Sequence, residues 1–324
     1  MINNSIDPVS HTIFEAIACL GSPKDPKLIA DQVLRLWKGL SAEDELSLML
    51  CWLGKCRLIH KLDQLQTPPL SKSIYQVPDL LVVFEHAGRS IPVLIEVKTS
   101  AKPALKWRLD YMEKLRNYSA ILNLPLLVAC KWEGGPFLWT LNDVVSFKKQ
   151  SKSYKLERGE AIYSNLMFTL AGNFALIFKE GTTFHMKGHK ISEPKPGNTP
   201  NTFRVECKLD GESYYTDSKG NKIEELPQEL SSFFSGGEDG FTYEGDVMHF
   251  KFITLENTFR SADKVFASLL SKKKSIQWRE VLIKFGIPKS ALEILEQARA
   301  SKIIDKVLII EPKIVPKFMS RLMV

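Results

Sequence analysis

The sequence predicts an α/β fold in which helices cover both faces of a mixed sheet, followed by a β-rich region and a small helical region. Apolar residues occupy both faces of the strands predicted at 80–84 and 91–95, and such strands need a helix layer on each side. The predicted elements up to residue 130 follow the order helix, strand, strand, strand, helix, strand. After about residue 150 apolar segments alternate with Gly, Asn and Asp turns, which is typical of β structure.

Periodicity and helix-stop signals predict the individual elements. Helices are predicted at 11–20, 27–38 and 41–53, and strands at 56–62, 80–84, 91–95 and 124–130. The helix at 41–53 begins with a capping-box pattern of Ser41 and Asp44 and ends at Gly54. A further helix is predicted to open at Pro103, to place Leu105, Leu109, Met112 and Leu115 in one stripe, and to end at Asn123.

Residues 78–98 are the most informative stretch, because they predict a hairpin that carries charged residues at its open end. If Ala87-Gly88 is a two-residue turn, Asp79 lies opposite Glu96. Opposed residues have Cβ atoms roughly 4.5–5.5 Å apart, where two like charges are unfavourable unless a cation lies between them. Lys98 is two residues beyond Glu96 and therefore shares its face.

This pattern, Pro78-Asp79 followed by Glu96-Val97-Lys98, resembles the PD-(D/E)xK nuclease superfamily, which includes restriction endonucleases, Holliday-junction resolvases and repair exonucleases. The resemblance covers about residues 41–132. It implies a three-layer α/β/α, restriction-endonuclease-like core with a mixed sheet. It also implies a metal-dependent endonuclease, restriction- or resolvase-like, that hydrolyses phosphodiester bonds in DNA.

The resemblance also implies roles for individual residues. Asp79 and Glu96 would bind Mg²⁺ or Mn²⁺, with the Val97 carbonyl as a third ligand. Lys98 would position the attacking water or balance phosphate charge, since two neighbouring carboxylates oppose its loss of a proton. Many members add a glutamate from the preceding helix. Glu45 is the preferred candidate, and Glu43 is the alternative.

A basic segment follows this motif and suits a nucleic-acid partner. Phosphate contacts are expected from Lys102, Lys106, Arg108 and Lys131, although a solvated helix face would also explain such charges. Trp107 and Tyr111 are candidates for stacking on bases. Some exonuclease relatives carry Gln-x-x-x-Tyr on this helix, but Lys114 precedes Tyr118 here, so exonuclease activity loses support.

Composition narrows the class of protein. The 324 residues are 44% apolar and carry a net charge of +7, which suits a polyanion. The five cysteines lack metal-ligand spacing, so we expect reduced thiols in the cytoplasm. The chain has no apolar run of 18 residues and no signal-peptide pattern, so we expect no membrane. Phosphate-loop, dinucleotide-binding and nucleophile-elbow motifs are also missing.

The sequence predicts three regions. Residues 1–147 would form the catalytic domain with its N-terminal helices, 148–255 a β-rich middle region, and 256–324 a helical region that is either a winged helix or a small helical cap. Two other functions stay open. One is a non-catalytic nucleic-acid-binding protein on a nuclease-like fold, and the other is a sequence-specific DNA-binding regulator. Cutting both strands of a duplex would call for a homodimer.

Overall fold

The structure is a computed structural model that describes residues 42–63, 66, 68–192, 195–196, 203–204, 207–223, 228–234, 238–255, 258–271, 290–300, 303–313 and 315–320. The helices predicted at 11–20 and 27–38, and the cap predicted at Ser41, lie outside these ranges. Within them, no helix has the length and apolar character needed to cross a membrane.

Residues 42–143 form a mixed five-stranded sheet with its helices, as the predicted α/β class requires. Their elements are α1 (42–53), β1 (Cys56–Lys61), β2 (Leu80–His86), β3 (Arg89–Ser100), β4 (Ala104–Arg108), α2 (Leu109–Leu122), β5 (Leu126–Trp132) and β6 (Trp139–Asp143). The strand order is β1-β2-β3-β5-β6. β3 and β5 pair in parallel, and the other neighbours are antiparallel. A 3₁₀ helix, Pro69–Ser73, precedes β2.

The β2–β3 hairpin has the predicted register. Leu80 pairs with Ile95 and His86 pairs with Arg89, so Ala87 and Gly88 form the turn. Both turn residues have positive φ, 49° and 74°, as a type I′ turn requires. This turn twists in the same sense as the strands, and it thereby fixes which side chains meet at the open end of the hairpin.

The two faces of the main sheet pack into different apolar clusters. Ile95 and Val97 belong to the cluster that contains α1 residues, whereas Leu94 belongs to the cluster that contains α2 residues. Since strand side chains alternate, Glu96 and Lys98 lie on the α2 face. The helices therefore cover both faces of the sheet, as predicted.

The helices end where the sequence predicts. Gly54 follows α1 with φ of 94°, and Asn123 follows α2 with φ of 52°. The Asn123 N–H donates to the Ala120 carbonyl at 3.1 Å. A left-handed residue at this position closes the last turn because it redirects the chain away from the helix axis.

Residues 104–108 form strand β4, although the sequence predicts a helix from Pro103. Leu105 and Trp107 are buried and the residues between and after them are exposed, which is the period-two alternation of a strand. The helix α2 begins only at Leu109. The prediction that Leu105 belongs to the helical stripe is therefore wrong, because residues 104–108 pair with a strand further along the chain.

That partner lies in residues 148–178. The elements are β7 (Lys148–Lys149), β8 (Ser153–Glu157), α3 (Arg158–Tyr163), a π-helical turn (Met167–Ala171) and β9 (Ala175–Phe178). β4, β8 and β7 form a three-stranded antiparallel sheet. Its buried side packs into the same cluster as α2.

Residues 183–253 are β-rich. The strands are β10 (Thr183–Lys190), β11 (Lys195–Pro196), β12 (Phe203–Arg204), β13 (Cys207–Thr216), β14 (Lys222–Ile223), β15 (Glu238–Glu244) and β16 (Val247–Ile253). Five of them form an antiparallel sheet of order β14-β13-β10-β16-β15, and β11 pairs with β12. A 3₁₀ helix, Gln228–Phe233, precedes β15.

The remaining elements are mostly helical and pack onto the first part of the chain. They are β17 (Arg260–Ser261), α4 (Ala262–Ser271), α5 (Ala291–Ala300), β18 (Ile304–Leu308) and α6 (Lys317–Ser320). β17 and β18 flank β9 in a small sheet. The buried Asp263 Oδ2 accepts hydrogen bonds from the backbone N–H groups of Leu138 and Trp139 at 2.7 and 2.8 Å. The division at residues 147 and 255 stays a prediction.

Candidate functional site

Asp79 and Glu96 lie side by side at the open end of the β2–β3 hairpin. The Val97 backbone N–H donates to Asp79 Oδ2 at 2.7 Å. Glu96 is 1% exposed. The register of the hairpin thus brings two carboxylates together on the α2 face of the sheet, in the relationship that the sequence predicts.

The two oxygens of Glu96 have different surroundings. Oε1 accepts a hydrogen bond from the Tyr111 hydroxyl at 2.6 Å and contacts Lys98 Nζ. Oε2 is buried and has no hydrogen-bond partner among the described residues. A buried carboxylate oxygen without a partner loses its hydration without compensation, so it marks a position where a ligand would be favourable.

Lys98 is held over two aromatic rings on the same face. Its Nζ lies 5.7 Å from the Trp107 ring centroid and 5.5 Å from that of Tyr111. Burial opposes the charged ammonium, but Glu96 and then Asp79 outweigh it and raise the pKa of Lys98 above its usual range. Lys98 therefore keeps its proton, and a role as general base is unfavourable.

The pair of carboxylates resists carrying two negative charges. Burial, followed by the Glu96 charge, raises the pKa of Asp79 to about 8, although Lys98 acts in the opposite direction. Burial and Glu96 likewise raise the pKa of Tyr111, so its hydroxyl keeps the proton that it donates to Glu96. A second positive charge near Asp79 and Glu96 would relieve the repulsion between them.

These residues fit a hard divalent cation, although in the described ranges no three His, Cys, Asp or Glu side chains converge as a metal-binding group. Mg²⁺ is usually held by one or two carboxylates, and it keeps water in its other positions. Glu96 Oε2, which has no hydrogen-bond partner among the described residues, and the half-buried Asp79 carboxylate supply the oxygen donors that such an ion prefers. The donor set therefore suits Mg²⁺ or Mn²⁺.

Glu43, rather than the preferred Glu45, is in electrostatic range of this site. Its carboxylate interacts with Glu96, and its charge in turn raises the pKa of Asp79. Burial raises the pKa of Glu43 itself. The ammonium of Lys61, 3.1 Å from the Glu43 carboxylate, acts in the opposite direction. Glu43 thus contributes a third negative charge to the neighbourhood of the two hairpin carboxylates.

Glu45 and Lys131 bond each other instead. The Glu45 carboxylate contacts Lys131 Nζ, and Trp139 Nε1 donates to its other oxygen at 3.4 Å. Cys130, the neighbour of Lys131, packs in the α2 cluster, so alternation turns Lys131 to the α1 face. A catalytic Glu45 and a phosphate-binding Lys131 stay predictions, and in this structure the two side chains bond each other.

The other predicted phosphate-binding residues are exposed. Lys102 follows β3, Lys106 lies on the open side of β4, and Arg108 pairs with Asp110 at 2.7 Å. Lys106 stands opposite Lys155 of β8, which in turn stands opposite Lys148 of β7. Such a row of like charges across three strands is unfavourable in isolation, even though Lys148 and Lys155 also contact glutamates.

Two aromatic residues have roles that differ from the predicted base stacking. Trp107 is buried, with its ring stacked on Phe147 at 5.3 Å between centroids. Tyr111 bonds the predicted metal ligand Glu96. The alternation of apolar and polar residues at 104–108 is the sequence signal that predicts both roles. It indicates a strand that buries Trp107, and a helix that begins after this strand has Tyr111 in its first turn.

Among solved structures, the comparisons give likenesses that include one to a nuclease. No protein-family model matches the chain, and no curated protein does. The solved structure of Hjc, a Holliday junction resolvase from the archaeal hyperthermophile Archaeoglobus fulgidus, matches with a TM-score of 0.33 and 19% identity. The match covers 42% of this chain and 96% of that chain. At this score the likeness assigns neither a family nor an activity.

Proposed function

We propose that this protein is a metal-dependent endonuclease that hydrolyses phosphodiester bonds in DNA. The observation that carries the proposal is the environment of Glu96. One of its oxygens is held by Lys98 and Tyr111, while the other is buried and has no partner in the part of the chain that the structure describes. The PD-(D/E)xK resemblance gives these residue types a consistent chemical role.

Asp79, Glu96 and the Val97 carbonyl would hold Mg²⁺ or Mn²⁺. We assign the additional helix carboxylate to Glu43 in place of Glu45, since Glu43 is the one that interacts with Asp79 and Glu96. A divalent cation, when bound, polarises the phosphate and stabilises the charge that develops on the leaving oxygen.

Lys98 would orient the attacking water and balance the charge of the phosphate. Its ammonium contacts Glu96 and lies over the faces of Trp107 and Tyr111, so it is already in the site before substrate binds. A preorganised charge needs no rearrangement during the reaction, and such charges lower the barrier most where water is excluded. The raised pKa of Lys98 supports this positioning role.

The exposed basic residues would bind the phosphate backbone. Lys102, Lys106 and Arg108 belong to this surface, and Lys148 and Lys155 extend it across the β4-β8-β7 sheet. Contacts of this kind position a nucleic acid without reading its sequence, and they weaken as salt increases. A homodimer would supply two sites for cutting both strands of a duplex.

We place this activity in the cytoplasm. Among the described residues, Cys51, Cys56 and Cys130 are unbridged thiols. Unbridged thiols suit a reducing compartment, where disulfides are rare.

A substrate panel tests the proposal. Plasmid, linear duplex, single-stranded DNA, a four-way junction and RNA are incubated with Mg²⁺ or Mn²⁺ and with the wild type, Asp79→Ala or Lys98→Ala. Asp246→Ala, a change in an exposed turn, is the matched control. We expect cleavage of DNA by the wild type and the control. We expect a loss of about 100-fold or more in the other two variants.

Cleavage of DNA that survives in folded Asp79→Ala would contradict the assigned site. If no substrate is cut while both variants still bind DNA like the wild type, the protein is a non-catalytic nucleic-acid-binding protein. Tight binding to one duplex sequence without metal would identify a regulator instead.

A further inference from the structure

We propose that Tyr111 is a positioning residue that determines which oxygen of Glu96 faces the metal ion. This inference rests on the proposed function, because it concerns how the metal ligand is oriented. The hydroxyl of Tyr111 donates to Oε1 at 2.6 Å, and Oε2 is buried and has no partner within the described ranges. The hydrogen bond therefore distinguishes two oxygens that are chemically the same.

A carboxylate needs such a constraint to present one oxygen in a fixed direction. The terminal torsion of a glutamate has a broad, roughly two-fold distribution, so its carboxylate rotates easily when nothing holds it. Lys98 is a weak constraint, because an ammonium on a four-carbon stem has three rotatable donors that follow either oxygen. A phenol hydroxyl on a fixed ring donates along a much narrower range of directions.

The ring of Tyr111 is fixed by its neighbours. Tyr111 is the third residue of α2, and its ring meets Trp107 edge-on, with centroids 5.9 Å apart and planes at 76°. Trp107 is buried and stacks on Phe147. Core packing thus fixes Trp107, Trp107 fixes the ring of Tyr111, and the Tyr111 hydroxyl orients the Glu96 carboxylate through one hydrogen bond.

Partners that orient metal ligands contribute strongly to affinity. Removing one usually weakens metal binding by about 10- to 100-fold, because the ligand then has to be ordered when the ion binds. Tyr111→Phe keeps the ring, its packing on Trp107 and its position beneath Lys98, and it deletes the hydroxyl alone. It therefore separates the hydrogen bond from the aromatic contacts.

The experiment is a calorimetric titration of Mn²⁺ into the wild type and variants, with thermal unfolding as a check of folding. Tyr118→Phe is the matched control, since Tyr118 lies two turns further along α2 and packs against the same cluster. We expect the Kd for Mn²⁺ to rise about 10-fold or more in Tyr111→Phe and to stay unchanged in Tyr118→Phe. Saturating Mn²⁺ should restore the cleavage rate of Tyr111→Phe.

A second variant keeps the test informative if Tyr111→Phe folds poorly. Lys98→Met retains the tyrosine hydroxyl and removes a positive charge near the ion, so Mn²⁺ should bind at least as tightly as in the wild type. Weaker binding in Lys98→Met would overturn the proposal, because Lys98 would then orient Glu96. Unchanged binding in folded Tyr111→Phe would overturn it as well. Failure of the proposed function itself looks different: Glu96→Gln would bind Mn²⁺ like the wild type.

Discussion

Glu45 and Lys131 form an ion pair on the α1 face of the main sheet, on the opposite side from Glu96 and Lys98. The charge of each of these two side chains is thus balanced by the other. The carboxylate that remains near the site is Glu43, on the same helix.

The two helix glutamates should respond differently to the same substitution. In Glu43→Gln we expect cleavage at limiting Mn²⁺ to fall about 10-fold with little change in stability, because a charge near the ion is lost. In Glu45→Gln we expect a loss of about 1–3 kcal/mol in the free energy of unfolding, because Lys131 loses its buried partner. Cleavage assays and urea unfolding at low temperature separate the two effects, and the reverse pattern would restore Glu45 as the catalytic candidate.

Asp79→Asn should stabilise the metal-free protein while it abolishes cleavage. The folded protein raises the pKa of Asp79 to about 8, above the ordinary value of 3.8, so the folded state binds the proton more tightly. The stability of the metal-free protein therefore falls as pH rises from about 4 to 8, and the uncharged amide removes this loss. At pH 8 we expect the midpoint of thermal unfolding to rise by roughly 2 °C or more. An unchanged or lower midpoint in the metal-free variant would contradict the repulsion described for this site.

The hairpin turn offers a stabilising change. Ala87 has φ of 49°, a left-handed conformation that costs a non-glycine residue roughly 1 kcal/mol. Ala87→Asn creates the Asn-Gly pair that type I′ turns favour, so we expect a gain of about 0.5–1 kcal/mol. Gly88→Ala has space for its Cβ but forces φ of 74° on an alanine. We therefore expect its free energy of unfolding to fall by a similar amount. Urea unfolding curves that rank the two variants in the opposite order would argue against this turn.

Acid should destabilise the β-rich sheet through His185. Burial, followed by His249 and Lys251, lowers the pKa of His185 to about 4 from the ordinary 6.5. The unfolded chain therefore binds more protons between these values, and stability falls as pH decreases from 6.5 to 4. His185→Gln should flatten this dependence, and His189→Gln, an exposed position on the same strand, is the control. Unfolding free energies measured at several pH values test this prediction. An equal change of unfolding free energy with pH in the wild type and both variants would count against it.

The carboxylate of Asp263 should be essential for stability. Asp263→Ala leaves the buried N–H groups of Leu138 and Trp139 without an acceptor, so we expect a loss of about 3 kcal/mol. Asp263→Asn keeps an accepting oxygen and should lose less. Chemical unfolding monitored by tryptophan fluorescence provides the measurement. A variant within about 0.5 kcal/mol of the wild type would mean that water satisfies both N–H groups.

The hairpin and its acidic end were predictable from the sequence because the cause is local. A two-residue turn determines the pairing of every later residue, and a shift of one residue would have turned the apolar side chains to the wrong face. Asp79, Glu96 and Lys98 therefore follow from the positions of Ala87 and Gly88 and the two apolar runs.

The remaining parts of the site depend on distant contacts. Glu43 and Glu45 lie on nearly opposite sides of one helix, and the rotation of α1 is determined by the core beneath it. Residues 103–115 fit a helical stripe as well as a strand followed by a helix, and the pairing partner β8 lies at Ser153–Glu157. The role of Tyr111 could not be predicted without this boundary, because its hydroxyl reaches Glu96 only from the first turn of α2.

The bond from Asp263 to the start of β6 has a consequence for the timing of folding. Trp139 and Asp263 are 124 residues apart in the chain, and a ribosome adds about 5–20 residues per second, so roughly 6–25 s separate their synthesis. During that interval the carboxylate that accepts from the N–H groups at the start of β6, an edge strand of the main sheet, has not yet been synthesised. An open sheet edge is a template for pairing with other chains. Slow translation between these residues therefore favours association of unfinished chains over completion of the fold.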